Sequence, residues 1–297
     1  MNKVKIFILS IAFIFIISSC SKDQTDKDTS KVNKKEKQSK DNITAGELSK
    51  YDLSSQNPTI LNLAKDLKEI SGMTMTPDGR LFAEQDEKGI VYQLDNKSGA
   101  IIKKFSLGNP PIRKDFEDIV YVNNKFYLLH SKGEIYEFEE GNDGESVDYK
   151  IYKTELNGAN DIEGMCYDPE TNSLLLACKG ISGVEDDNDK AVYSFSLDSM
   201  KFNSQPRFML KKSDIKSYFN PSGIQRNPKT GTFFVIAANG NEIVEISKEG
   251  NFTGKHQLPK SIHAQPEGIT FSADGTMFIS NEGKNGNGTI VIYPYQN

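Results

Sequence analysis

Five copies of one phrase run along this chain, and no other feature restricts its fold as strongly. Aligned on an opening apolar run, they read "ISGMTMTPDGRLFAEQD" from Ile70, "FEDIVYVNNKFYLLHS" from Phe116, "IEGMCYDPETNSLLLACK" from Ile162, "PSGIQRNPKTGTFFVIAA" from Pro221 and "PEGITFSADGTMFISNE" from Pro266. Each copy sets two runs rich in β-branched and aromatic residues around a short polar turn, which is the pattern of a hairpin. The turns fall at Asp78-Gly79, Asn123-Asn124, residues 170–172, Thr230-Gly231 and Asp274-Gly275, residue types that tolerate the positive φ of tight turns. A third alternating run follows every copy ("GIVYQL", "GEIYEF", "KAVYSF", "NEIVEI", "GTIVIY"), and a weaker fourth follows the first four ("IIKKF", "DYKIYKT", "QPRFML", "KHQLP").

Four-stranded units repeated in this way are blades around a channel, so the expected fold is an all-β, five-bladed β-propeller. The steps between equivalent positions are 46, 46, 59 and 45 residues, and a degenerate blade inside the long step makes six blades the alternative. The surplus is instead assigned to two loops, "SGVEDDND" from Ser182 and "KKSDIKSYF" from Lys211, the second a helical turn with Ser213 as its candidate cap. The fifth copy has no fourth run after it. "PTILNL" at residues 58–63 belongs to no repeat and is placed to complete the last sheet, closing the ring and leaving no unpaired edge.

Ahead of the repeats stand Lys3, Lys5, the apolar run "IFILSIAFIFII" and then Ile17-Ser18-Ser19-Cys20, the order of a signal peptide over residues 1–19. The apolar run is short of the roughly 20 residues that span a bilayer as a helix. Ile-Ser-Ser-Cys resembles a bacterial lipobox, and that resemblance implies lipidation of Cys20 and anchoring to the membrane of the cell envelope, the outer membrane or cell surface in a Gram-negative host. Residues 20–50 are charged, nearly without large apolar side chains, and read as a disordered tether. The propeller is then residues 51–297 and is expected to be a monomer.

Of 36 basic and 41 acidic residues, the leader and tether hold ten and six, which leaves 26 against 35 and a charge near −9 on the folded part. That balance disfavours nucleic acid or an anionic membrane surface as a partner and permits cations. The histidines, His130, His256 and His263, have no zinc spacing. Cys166 and Cys178 sit on paired strands three residues out of register, beyond disulfide reach, and are expected as free buried thiols.

The repeated Glu-Gly before an apolar strand, the return strands "LLLAC" and "MFISNE" and the lipoprotein leader together resemble the SdiA-regulated bacterial propellers, relatives of the NHL-repeat proteins. The resemblance implies five blades and a calcium site, with no established reaction. Superposed copies place Ser71, Glu117, Glu163, Ser222 and Glu267 at the start of the innermost strands, and Asp86, Ser131, Lys179, Ala238 and Glu282 beside them at the ends of the return strands. Glu117, Glu163, Glu267, Asp86 and Glu282 are the candidate metal ligands; Ser71, Ser222, His130 and Lys179 are candidate residues of the channel rim. Calcium suits converging carboxylates because it takes 6 to 8 oxygen ligands in flexible geometry. The competing reading is a wet rim of solvated acids with Lys179 neutralising one. The expected function is to bind an unidentified ligand or protein partner at this mouth; the alternative is a calcium-dependent hydrolase of a lactone, ester or phosphoester, with Glu117 or Glu163 as base.

Overall fold

Each repeated phrase folds as the hairpin its turn residues specify, with φ of 84° at Gly79, 53° and 62° at Asn123 and Asn124, 44° at Asn172, 77° at Gly231 and 92° at Gly275. The structure, a computed structural model, describes residues 46–183 and 188–297. The leader, Cys20, the tether up to residue 45 and residues 184–187 of the acidic loop lie outside the described residues. No helix among the described residues is long and apolar enough to cross a membrane.

The strands form five sheets, the blades of a propeller, antiparallel except where Ser146–Val147 adds to the edge of the first sheet by parallel pairing with Ile101–Leu107. Blade 1 comprises Ile70–Met75, Leu81–Gln85, Lys88–Leu94 and Ile101–Leu107, and blade 2 comprises Phe116–Val122, Lys125–His130, Glu134–Phe138 and Tyr149–Lys153. Ile162–Asp168, Ser173–Cys178, Lys190–Ser196 and Lys201–Leu210 make blade 3; Gly223–Arg226, Phe233–Ala237, Glu242–Ile246 and Phe252–Gln257 make blade 4. Blade 5 combines Pro266–Phe271, Met277–Asn281 and Thr289–Tyr293 with Thr59–Asn62 from the other end of the chain. That last strand pairs antiparallel with Thr289–Tyr293, Leu61 opposite Ile290, so the ring closes as the unassigned "PTILNL" segment suggested. The long step holds no sixth blade among the described residues. It holds a ten-residue outer strand and a short helix, Lys212–Ile215, whose first turn is capped by Asp189 (Lys212 N to Oδ1, 2.9 Å) rather than by Ser213, which bonds to Asp214.

Strands that are apolar on both faces must be covered on both, and a ring of blades does this by packing each sheet on the next. Five apolar clusters result, one at every interface between blades. Cys166 and Cys178 are buried in two of them as free thiols. The interface of blades 4 and 5 also takes in Leu48, Tyr51 and Leu53. Leu48 is fully buried in a short 3₁₀ turn, Gly46–Lys50, and its N–H donates to Glu245 (3.2 Å). Packed structure therefore begins at least five residues before the Tyr51 boundary, because one apolar side chain in an otherwise polar segment finds a slot between blades.

The glycine of Glu-Gly has a steric cause. A Cβ at Gly268 would lie 2.4 Å from the Ser71 carbonyl oxygen, and one at Gly223 would lie 2.5 Å from that of Glu267. The inner strands of neighbouring blades converge on the axis at this level, and side chains would hold them apart. Blade 2 has Asp118 there instead; its carboxylate accepts N–H groups from Ile119 (2.8 Å) and from Met165 of blade 3 (2.7 Å), which ties the two blades together.

Candidate functional site

The residue before that glycine is aimed by a β-bulge. Pairing of inner and second strands skips at Ser71-Gly72, Glu117, Glu163 and Glu267-Gly268, so the bulged residue leaves the ladder. A bulge inserts an unpaired residue and turns its side chain out of the regular alternation. It also shifts the register beyond it: Cys178 stands opposite Ile162, not Glu163 as unbroken pairing from Asp168–Ser173 requires.

The re-aimed side chains meet in a cavity of about 180 Å³ at one mouth of the channel. Its lining includes Glu117, Glu163 and Glu267 from the inner strands, Asp86, Lys179 and Glu282 from the return-strand ends, and Ser71. All five candidate metal ligands are thus brought together. Two rim candidates are not. Ser222 is buried away from the cavity, donating to the Pro266 carbonyl (2.7 Å) and accepting from Ala238 N–H (3.1 Å); with only a short hydroxyl at the glutamate position, it ties blade 4 to blade 5. His130 opens into a separate groove over blade 2, turned there by Nδ1 contact with Glu134 (3.1 Å). Ser71 lines the cavity while donating to the Glu117 carbonyl (2.7 Å), the same kind of tie between blades 1 and 2.

Glu69, Asp115 and Gln265 also line the mouth and were not among the expected residues. Each lies two positions before the ring residue of its copy (Ser71, Glu117, Glu267), and in an extended chain residues i and i+2 share a side. That spacing was the available signal. Gln265 Nε2 donates to Glu282, and Glu69 is bonded by Lys68.

Crowding carboxylates into a closed space penalises their charged forms. Burial, then the neighbouring Glu163, pushes Glu117 up to about 11. Burial with Glu163 beside it raises Glu267 to about 8, and burial with a hydrogen bond to Glu69 raises Glu282 to about 7. Burial lifts Glu163 to about 7 although Lys179 opposes the shift, and burial with Glu69 nearby lifts Asp86 to about 6. Lys179 is the basic side chain in the lining; burial works against its charge, but its contact with Glu163 raises its pKa overall. Beneath the mouth Glu84 is fully buried and pushed to about 8 by that burial, one oxygen accepting from Gly72 N–H (2.6 Å) and the other without a partner. Among the described residues no three His, Cys, Asp or Glu side chains already stand as a formed metal cage. The donor set nonetheless fits a hard cation: it is all oxygen, it is short of positive charge, and Asp86 Oδ1 is buried without a hydrogen-bond partner.

Solved structures with similar folds cover most of this chain at low identity. Glutaminyl cyclase of Myxococcus xanthus matches with a TM-score of 0.53 at 13% identity over 80% of this chain and 96% of its own. A luciferin-regenerating enzyme matches with 0.49 at 12% identity (80% and 95%), and a gluconolactonase of Xanthomonas campestris with 0.47 at 11% (76% and 72%). At such identities the likeness concerns fold alone. Among curated proteins no sequence matches the chain. A profile of the SdiA-regulated family matches residues 44–285, a span that takes in the four complete repeats, the closing strand and the acidic mouth, and the chain belongs to the SdiA-regulated family.

Proposed function

We propose that this protein is a lipid-anchored propeller of the bacterial cell envelope that holds a calcium ion at its acidic mouth and there binds a ligand or protein partner. The observation that carries the reading is the convergence of Glu117, Glu163, Glu267, Asp86 and Glu282 on one small cavity, each with its pKa raised. A site that resists ionisation in isolation is one in which a bound cation has most to offset. Those five carboxylates would hold the metal, with the Gln265 carbonyl as a neutral donor at the rim. When bound, calcium supplies positive charge and open coordination positions. The chain's own residues hold the blades in place around it, and Lys179 neutralises Glu163 until a cation competes with it.

Calcium titration calorimetry tests this on the wild type and on Glu117→Gln, Glu163→Gln and Glu267→Gln, which keep size and an oxygen but remove charge. Each should weaken binding by about tenfold, the scale of one charged contact, while Glu185→Gln in the acidic loop changes little. Undetectable binding by the wild type, or loss confined to Glu185→Gln, would falsify the site at the mouth.

A further inference from the structure

The groove that takes His130 has the opposite character to the mouth beside it. It encloses about 450 Å³ over blade 2 and is lined by Lys114, Lys132 and Lys153 as well as His130, Asp115 and Glu134. Both acids are engaged. Glu134 accepts from Tyr136 Oη (2.9 Å) and contacts His130 Nδ1 (3.1 Å) and Lys114 Nζ (3.5 Å), while Asp115 accepts from Ser131 Oγ (2.8 Å). The hydroxyl of Thr154 is used as well, donating to the Gly133 carbonyl (2.9 Å) and accepting from Leu156 N–H (3.2 Å). Lys132 and Lys153 make no ion pair among the described residues. The Lys132 stem lies along Gly158, where an added Cβ would sit 3.6 Å from its Cγ. What remains for an incoming molecule is ammonium groups, in a domain whose acids outnumber its bases.

We propose that this groove is an oxyanion subsite, taking the carboxylate or phosphate of a small polar ligand on Lys114, Lys132 and Lys153. Ammonium groups donate hydrogen bonds in several directions and accept none, so they select an anion over a neutral polar group. Asp115 borders both the groove and the channel mouth, so a molecule seated here by its anionic end extends toward the carboxylate ring. The subsite itself requires no metal, and it stands or falls apart from the calcium reading.

His130 is a built-in reporter because it faces the groove, whereas His256 bonds to Ser54, and His263 is enclosed by Asn281 and Tyr293. The experiment follows the imidazole resonances of the metal-free, full-length chain during titration with inorganic phosphate and, separately, with succinate, chloride holding the ionic strength constant. Saturable movement of His130 with either probe, while His256 and His263 stay still, supports the subsite, and the responding probe tells phosphate from carboxylate. In the Lys132→Gln/Lys153→Gln double variant the midpoint should rise by about tenfold or more. An identical drift with chloride alone, or an unchanged midpoint in a variant whose His263 resonance reports an intact fold, overturns the proposal.

Discussion

Glu117 keeps its proton across the physiological range for as long as nothing positive enters the mouth, since burial and Glu163 hold its pKa near 11. Glu163, Glu282 and Glu267, near 7, 7 and 8, lose theirs close to neutrality. The linkage follows from the direction of these shifts. A carboxyl whose pKa is higher in the folded state binds more protons folded than unfolded, so its contribution to stability is complete below its unfolded value, about 4.5, and fades as pH rises through the folded value. The melting temperature of the metal-free protein should therefore fall between about pH 5 and pH 8. Calcium must displace these protons, so its stabilising effect should be small at pH 5 and grow over the same interval. Scanning calorimetry at pH 5, 6.5 and 8, with and without calcium, checks both slopes; a metal-free melting temperature that rises across this interval would contradict the raised values. At this scale the acids of the ring were legible because repetition puts Glu117, Glu163 and Glu267 in one column. The roles of Ser222 and His130 were not, since a column gives a position along a strand and says nothing about which neighbour a short hydroxyl or an imidazole will find.

Hairpins and the closing strand were readable in the sequence because each is encoded locally: alternating apolar residues for the strands, Asn or Gly for the turns, and one spare β-run for the fifth sheet. The bulges were not. A bulge costs one residue of register and leaves no compositional mark, and the register of Cys178 went astray for that reason. The Gly46–Lys50 turn was hidden differently, because one leucine among polar residues carries no periodicity until the slot between blades 4 and 5 exists. Deletions separate these elements. Removing residues 58–63 takes away the outer strand of blade 5 and its buried Leu61 and Leu63, exposes a sheet edge and should lead to aggregation. Removing residues 21–45 should leave the melting temperature within a degree or two, whereas Leu48→Ala should cost about 2–5 kcal/mol, the range for emptying a fully buried leucine site. Urea unfolding of the three proteins makes the comparison; an unchanged midpoint for Leu48→Ala would remove the N-terminal turn from the folded unit.

Taken whole, the propeller has two unlike ends. The close approach of neighbouring inner strands at the glycines lies between the acidic mouth and a second cavity of about 260 Å³, bordered by Tyr121, Tyr167 and Phe271 near the hairpin turns. The fold class was open to reading at this scale because five-fold repetition leaves few architectures, but the close approach at the glycines was not, because it depends on distances between blades. Anchoring is tested at the same scale: labelling with a radioactive fatty acid should mark the wild type, and Cys20→Ala should release a soluble protein, because acyl chains supply the affinity that the tether lacks. Unlabelled wild-type protein recovered as soluble would remove the anchor from the proposal. The N-terminal turn, Gly46–Lys50, belongs to one of these ends. It packs beside the hairpin turn of blade 5, Tyr51 Oη donating to the Gly275 carbonyl (2.8 Å), at the end of the propeller away from the carboxylates. No residue of that turn lines the mouth, so the approach to the carboxylates is left uncovered by the segment through which the described chain enters the fold.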